Sequence, residues 1–451
     1  MARQQFDVTE GPLLKKTLLY TIPIILTSIL QLLFNAADLI VVGSSSELYV
    51  AAVGATGSIT NLCVNLFIGL SSGIAVATAT NIGARDYKSV YNAVHTAIPL
   101  ALISGAFLSV LGVLIATPVL TLMGTPTEIL AYASTYMKIY FLGMIPNLIY
   151  NFGAAILRAA GDTKGPLYYL TIAGVINVVL NLIFVKVFNM NVDGVAIATV
   201  ISQSVSALFV LNALIKRDDA CRLQVKEMRI KKKALGQILK VGVPAGLQSS
   251  LYSIANVMIQ TSINSFGPAS VAGNAAANNA ESFGYVAINS FYQSALNFTG
   301  QNMGAKKYER IKKVYAINIA CVISAGAIVA ALYVLFGRNL IALYNVTDEV
   351  GVSFGMTRLL FVCVPYFLCG MVDITTGVVR GMGASLLPML NCVIGICGLR
   401  LLWVFTVFGT LHTPEALFSA YPISWGTTFV SGFIIFLLVY KKIKKKAEMQ
   451  Q

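Results

Sequence analysis

Twelve apolar stretches run through this chain, and they limit its possible folds more than any other feature. They lie near residues 17–42, 49–81, 89–122, 128–159, 165–188, 193–215, 234–264, 269–302, 308–336, 349–380, 386–411 and 414–440. A helix crosses a bilayer with ~20 predominantly apolar residues, and a longer stretch tilts, kinks or protrudes. Pro23, Pro99, Pro118, Pro146, Pro244 and Pro365 lie inside these stretches, and each removes a helical hydrogen bond and favours a bend. The segments between them are short, which leaves no room for a large water-soluble domain. Charged residues make up only 11% of the 451 positions, against about 25% in soluble proteins. A water-facing surface cannot be built from so few, so a soluble enzyme is excluded. The expected fold class is an all-α polytopic membrane protein with twelve transmembrane helices.

The charges also carry orientation. Lys and Arg total 32, Asp and Glu 18, for a net charge of +14. Basic residues concentrate at Arg3, Lys15 and Lys16, at Arg85 and Lys88, at Arg158 and Lys164, and through Lys216–Lys240. They recur through Lys306–Lys313, at Arg380 and in the tail Lys441–Lys446, while the intervening loops hold little beyond Lys186 and Arg338. Positive loops stay in the cytoplasm, so both termini are expected inside, which requires an even number of spans. The Lys216–Lys240 stretch reads as a solvated loop with some lipid-headgroup contact, and no nucleic-acid partner is expected. The seven cysteines fall mostly within apolar runs and form no CxxC pair, as small buried side chains would. The first apolar run is too long for a signal peptide and is read as a retained helix. No Gly-x-x-x-x-Gly-Lys-Ser/Thr phosphate loop is present, so ATP is not the expected energy source and no enzymatic activity is expected.

The second half of the chain repeats the first. Pro23 and Asn35 align with Pro244 and Asn256, 221 residues on. At the same offset Asn81-Ile82-Gly83-Ala84-Arg85-Asp86-Tyr87 aligns with Asn302-Met303-Gly304-Ala305-Lys306-Lys307-Tyr308. Arg158, Gly161 and Pro166 align with Arg380, Gly383 and Pro388 at an offset of 222. Each repeat holds six spans, so both enter the membrane in the same sense, and a pseudo-two-fold axis along the membrane normal is expected. The expected organisation is an amino-terminal lobe over 1–215, a linker over 216–233, a carboxyl-terminal lobe over 234–440 and a basic tail over 441–451.

Polar groups inside the spans are the candidate functional residues, because an ionisable side chain at mid-helix costs about 2.5–3.5 kcal/mol on the insertion scale. Such a group persists if it faces a cavity, pairs, or becomes neutral, and a carboxyl that becomes neutral is a proton switch. The first span carries Gln31, Asn35 and Asp38 on one face. The fifth carries Asn177 and Asn181 one turn apart, and the sixth carries Thr199. Together they offer a carboxylate, two amides and a hydroxyl, a set suited to a proton or a weakly held Na+; the competing role is hydrogen-bonding glue between helices. The seventh span presents Ser249, Tyr252, Asn256 and Gln260, and the eighth presents Asn274, Asn278, Glu281 and Tyr285. Glu281 and Asp373 of the tenth span form a second candidate site, in which like charge would favour one protonated member. The alternative for Asp373 is an ion pair with Arg400. Lys138 and Arg358 are expected to snorkel towards span ends, and His95 and His412 to be structural.

On these residues the chain resembles the multidrug and toxic compound extrusion (MATE) family over essentially its whole length. The resemblance rests on the two six-helix repeats, Asp38 late in the first span, and the repeated Asn-x-Gly-Ala loops at 81–84 and 302–305. The Arg-x-x-Gly-Asp pattern at 158–162 and Arg-Gly-Met-Gly at 380–383 add to it. It implies a secondary antiporter of the plasma membrane that exports organic, often cationic, compounds by alternating access, most simply as a monomer. The cation taken in exchange is H+ or Na+, with no other cofactor. The amino-lobe ion site of the family looks like Asp38, Asn177, Asn181 and Thr199, and the carboxyl-lobe acidic pair like Glu281 and Asp373. Asn181 stands where some members carry an acid, which favours H+ over Na+. Substrate-cavity candidates are Gln31, Asn35, Tyr252, Asn256, Asn274, Asn278 and Tyr285. Two competing functions are a flippase for lipid-linked precursors from the same superfamily, which would want cationic side chains in its cavity, and a channel or receptor.

Overall fold

The computed structural model describes residues 7–44 and 46–449; Arg3 and the last two positions of the expected tail lie outside the described residues. The first repeat comprises α1 (Leu13–Gly43), α2 (Glu47–Gly83), α3 (Tyr87–Leu122), α4 (Thr127–Leu142), α5 (Met144–Ala159), α6 (Lys164–Leu182) and α7 (Val192–Ile215). The second comprises α8 (Lys232–Asn264), α9 (Pro268–Gly304), α10 (Tyr308–Ala342), α11 (Glu349–Arg358) and α12 (Tyr366–Gly381). It continues with α13 (Leu386–Cys392), α14 (Leu399–Trp403), α15 (Gly409–Leu411) and α16 (Pro414–Glu448). π-helical segments lengthen or join several of these, at Ile183–Val187, Leu359–Cys363, Val393–Gly398 and Val404–Phe408. Among the described residues the helices form twelve rods that follow the twelve apolar stretches one for one. Eight rods are long and apolar enough to cross a membrane as they stand. Two more do so as bent pairs, α4 with α5 at 47° and α11–α12 at 41°. The remaining two, α8 and α9, carry many of the amides and hydroxyls singled out above, which lowers their apolarity without shortening them.

The duplication extends to the backbone. Of the ten left-handed residues among those described, eight fall in matched pairs: Arg85 with Lys306, Gly124 with Asn345, Gly161 with Gly383, and Asn189 with His412. Asn and Gly tolerate this region; Arg85 and Lys306 are less usual there, so the Asn-x-Gly-Ala turn holds the same strained geometry twice. The bends also match, one at Gly143 and one beside Pro365. So do the π-helical segments at Ile183–Val187 and Val404–Phe408.

Packing divides the chain into two compact units, and the division differs from the linker boundary expected from sequence. One unit holds Ile22–Gly246; the other holds Val8–Thr21 together with the chain from Leu247 onward. The divisions fall beside Pro23 and Pro244, within α1 and α8, because these two long helices each belong to one unit at their start and to the other beyond the proline. In the first unit α8 packs on α2 through small residues. A Cβ at Gly69 would lie 2.1 Å from the backbone nitrogen of Gly246, and one at Gly73 would lie 2.1 Å from the Ile238 carbonyl oxygen. Only glycine permits that approach. In the second unit the leading segment is stitched to α9 and α10. Arg310 donates to the carbonyls of Val8, Glu10 and Gly11 at 3.1, 2.8 and 2.7 Å. Asn297 donates to the Tyr20 hydroxyl at 2.9 Å.

The basic linker is not simply solvated. It folds onto α3 of the first unit, where buried His95 accepts from the Gln224 amide at 2.9 Å and Thr96 accepts from Lys231 at 3.1 Å. Tyr91 donates to Glu227 at 2.6 Å. His95 is therefore a structural acceptor. His412, in the left-handed turn before α16, stacks on Phe408 and Phe266.

Candidate functional site

In the first unit, α1, α5, α6 and α7 enclose a polar cavity of about 130 Å³. Gln31, Asn35 and Asp38 reach it because i, i+4 and i+7 share one helix face. Asn177 and Thr199 line it from α6 and α7. The Asn181 side-chain amide donates to the Asp38 carboxylate at 2.5 Å and to the Asn177 oxygen at 3.3 Å. The Thr199 hydroxyl donates to the Val195 carbonyl at 2.9 Å and also faces the Asp38 carboxylate. Gly174 makes the arrangement possible, since a Cβ there would sit 1.8 Å from the ring of Phe34. Among the described residues Asp38 has no cationic partner. The side-chain oxygens of Asn181 and Gln203 are buried without a donor. An unpaired carboxylate beside unfilled carbonyl oxygens is an arrangement that accepts a proton or a small cation.

Other lining residues were not singled out from sequence: Asn147, Tyr150 and Asn151 on α5, and Ser202, Gln203 and Ser206 on α7. A signal existed for most of them. Thr199, Ser202, Gln203 and Ser206 fall at i, i+3, i+4 and i+7, the same spacing that marked Asp38 and its neighbours.

The second unit is organised differently, and three expectations are corrected. Arg358 does not snorkel. The residue is 5% exposed, held by a charge-assisted fork on Glu281 at 2.7 and 2.9 Å. It also donates to the oxygens of Asn274 at 2.8 Å and Asn278 at 2.9 Å. The other oxygen of Glu281 accepts from the Tyr366 hydroxyl at 2.8 Å. Nearness to the start of its span predicts that Arg358 snorkels, but a carboxylate and two amide oxygens from α9 hold its guanidinium inside instead. Glu281 and Asp373 make separate contacts: Asp373 accepts from Asn289 at 3.0 Å, and Asn289 also donates to the Tyr285 hydroxyl at 3.2 Å. Asp373 is not paired with Arg400. The Arg400 guanidinium lies 4.0 Å over the Tyr421 ring and 5.6 Å from that of Trp425, and its Nε donates to Ser424 at 3.1 Å.

Arg380, counted with the cytoplasmic charges on sequence, is also buried. It donates to the Tyr292 hydroxyl and the Gln248 oxygen, both at 2.8 Å. Gln248 in turn donates to the Tyr252 hydroxyl at 3.3 Å. Asn256 is exposed and makes none of these contacts. Three arginines, Arg358, Arg380 and Arg400, are thus buried within the second unit, where sequence placed nearly all basic residues at the cytoplasmic face.

Comparison with known proteins follows this geometry closely. The family profile described as MatE matches residues 23–183 and 244–406, two segments that begin at the paired prolines of the repeat. A Bacillus subtilis protein named "Probable multidrug resistance protein YpnP" is 29% identical over 84% of this chain and 85% of its own length. A Shewanella oneidensis protein named "FAD transporter" is 24% identical over 89% of this chain and 88% of its own. The fold matches that of an outward-facing multidrug resistance MATE transporter at a TM-score of 0.91, with 23% identity, covering 99% of this chain and all of that one. The chain belongs to the MatE family: it is a multi-pass membrane transporter of the multidrug and toxic compound extrusion type.

Proposed function

We propose that the protein is a proton-coupled antiporter of the plasma membrane that exports organic compounds, cationic ones among them, by alternating access. It works as a monomer with both termini in the cytoplasm. The observation that carries this reading is Asp38: a carboxylate with no cationic partner among the described residues, bonded by the amide of Asn181 at the edge of a polar cavity. Taking up a proton removes its charge and weakens its claim on the Asn181 N–H, which changes how α1 is held against α6. α1 has a place to yield, because Pro23 lacks an N–H and the Thr27 hydroxyl takes the Pro23 carbonyl at 2.7 Å. A proton that binds one conformation better than the other biases the two states, and substrate bound in the favoured state is released in the other. Na+ competes for the same role through the oxygens of Asp38, Asn177 and Asn181. Glu281 is the weaker coupling candidate because Arg358 neutralises it. Asp373, which among the described residues accepts only from the Asn289 amide, is the second candidate.

The test is transport in proteoliposomes. A pH gradient drives export by the unmodified protein, and Asp38→Asn abolishes the gradient dependence. Unchanged pH-driven export in Asp38→Asn overturns the assignment, and export driven by a Na+ gradient alone replaces the proton with Na+.

A further inference from the structure

The buried interior of the second unit holds more positive than negative charge. Arg358, Arg380 and Arg400 are all within 6% exposure, against the carboxylates of Glu281 and Asp373. Glu281 compensates Arg358. Arg400 has no carboxylate partner among the described residues. Buried charges are ordinarily paired, so an uncompensated guanidinium in a membrane protein calls for an explanation.

Its surroundings supply one. Arg400 is 6% exposed, and its single side-chain hydrogen bond among the described residues runs from Nε to Ser424. Its two terminal amino groups have no acceptor, yet they are not among the sealed, unpaired atoms of the interior. The indole N–H of Trp425, a residue 4% exposed, is in the same state. Tyr421 lies between two guanidiniums, Arg400 at 4.0 Å and Arg358 at 6.0 Å from its ring. π-helical segments flank Arg400 on both sides, at Val393–Gly398 and Val404–Phe408, and such interruptions frequently mark functional sites. The repeat sharpens the contrast. At the offset of 221 that relates Pro23 to Pro244 and Asn35 to Asn256, Ile259 occupies the position of Asp38. Where the first repeat places an acid, the second places an aliphatic side chain and brings in an arginine.

We propose that Arg400, with Tyr421 and Trp425, forms a binding site for an anionic group, a carboxylate or phosphate, on a flat aromatic substrate. A guanidinium with open N–H donors takes the anion, and the adjacent rings take the planar body. This rests on the reading of the chain as a transporter of organic solutes and extends its substrate class to organic anions and zwitterions.

Trp425 can report the event, since the chain has only 2 tryptophans. Trp403→Phe leaves Trp425 alone. The protein is placed in nanodiscs of neutral lipid and titrated with three contact quenchers of equal size: 4-nitrobenzoate, 4-nitrobenzyl alcohol and 4-nitrobenzylammonium. The carboxylate is expected to saturate the quench at a concentration at least tenfold lower than the alcohol. Arg400→Gln removes that advantage and leaves the alcohol unchanged, and Arg400→Lys retains part of it. Equal affinity for carboxylate and alcohol, tightest binding of the ammonium, or an anion preference that survives Arg400→Gln overturns the site. The three-ligand comparison on the tryptophan-edited parent decides the matter even where Arg400→Gln fails to fold. The measurement uses no gradient, so its failure leaves coupled export through Asp38 standing. Failure of coupled export leaves the anion preference measurable.

Discussion

Replacing Arg358 with methionine strips the Glu281 carboxylate of its fork at 2.7 and 2.9 Å and removes the donor that Asn274 and Asn278 share. The Tyr366 hydroxyl remains as one neutral donor. Breaking a buried ion pair by removing one partner costs about 3–5 kcal/mol, because the other charge stays buried and unmatched. For a cooperative unit of this size, each kcal/mol moves the midpoint by about 2–4 °C. Arg358→Met should therefore lower the thermal unfolding midpoint in detergent by roughly 6–20 °C. Removing both charges with apolar residues of similar volume is often neutral, so Glu281→Leu with Arg358→Met should recover most of the loss. Midpoints of the purified parent, single and double variants, read by tryptophan fluorescence in one detergent, decide it. A double variant as unstable as the single one, or a single variant within 2 °C of the parent, would refute the claim that Glu281 and Arg358 compensate each other.

Other consequences can be checked separately. Gly69→Leu forces α2 off α8 where a Cβ would already meet the Gly246 backbone at 2.1 Å; the folded yield should collapse, whereas Gly236→Leu, where a Cβ meets nothing within 4 Å, should be tolerated. His95→Phe removes the acceptor for Gln224 and should speed tryptic cleavage at Lys226 and Arg229, scored as fragment yield against time. In the linker turn, burial disfavours ionised Asp219, but the Arg217 fork at 2.9 and 2.5 Å outweighs it and holds the carboxyl below its ordinary range. Its stabilisation is present above the unfolded value near 3.9 and is lost as pH falls through the lower folded value. Hydrogen exchange at the Cys221 amide, which Asp219 accepts from at 2.9 Å, should therefore speed up in that acidic window relative to its intrinsic rate. Burial pushes the Cys221 thiol up to about 12, so Cys221 should label with maleimide at pH 8 far more slowly than a surface cysteine introduced at Lys226.

The helices were legible because apolar length is a direct signal of a span, and the duplication because paired prolines, asparagines and glycines recur at a fixed offset. Gln31, Asn35 and Asp38 could be placed on one face from spacing alone, since α1 is continuous there. Reading failed where a partner on another helix decides the outcome: nearness to a span end made Arg358 look like a snorkelling side chain, whereas Glu281, Asn274 and Asn278 of α9 hold it inside. Sequence also could not show that α1 and α8 change packing partners at their prolines, because hydropathy records how apolar a helix is and not what it touches.

That change of partners at Pro23 and Pro244 bears on how the protein could be taken apart. A gene cut within the basic linker yields two polypeptides, and neither contains a whole packing unit: the first lacks the α8 start that α2 needs, and the second lacks the leading segment that Arg310 grips. Fragments made separately should remain unfinished, and only joint expression, with each chain lending its end to the other, should yield a stable product.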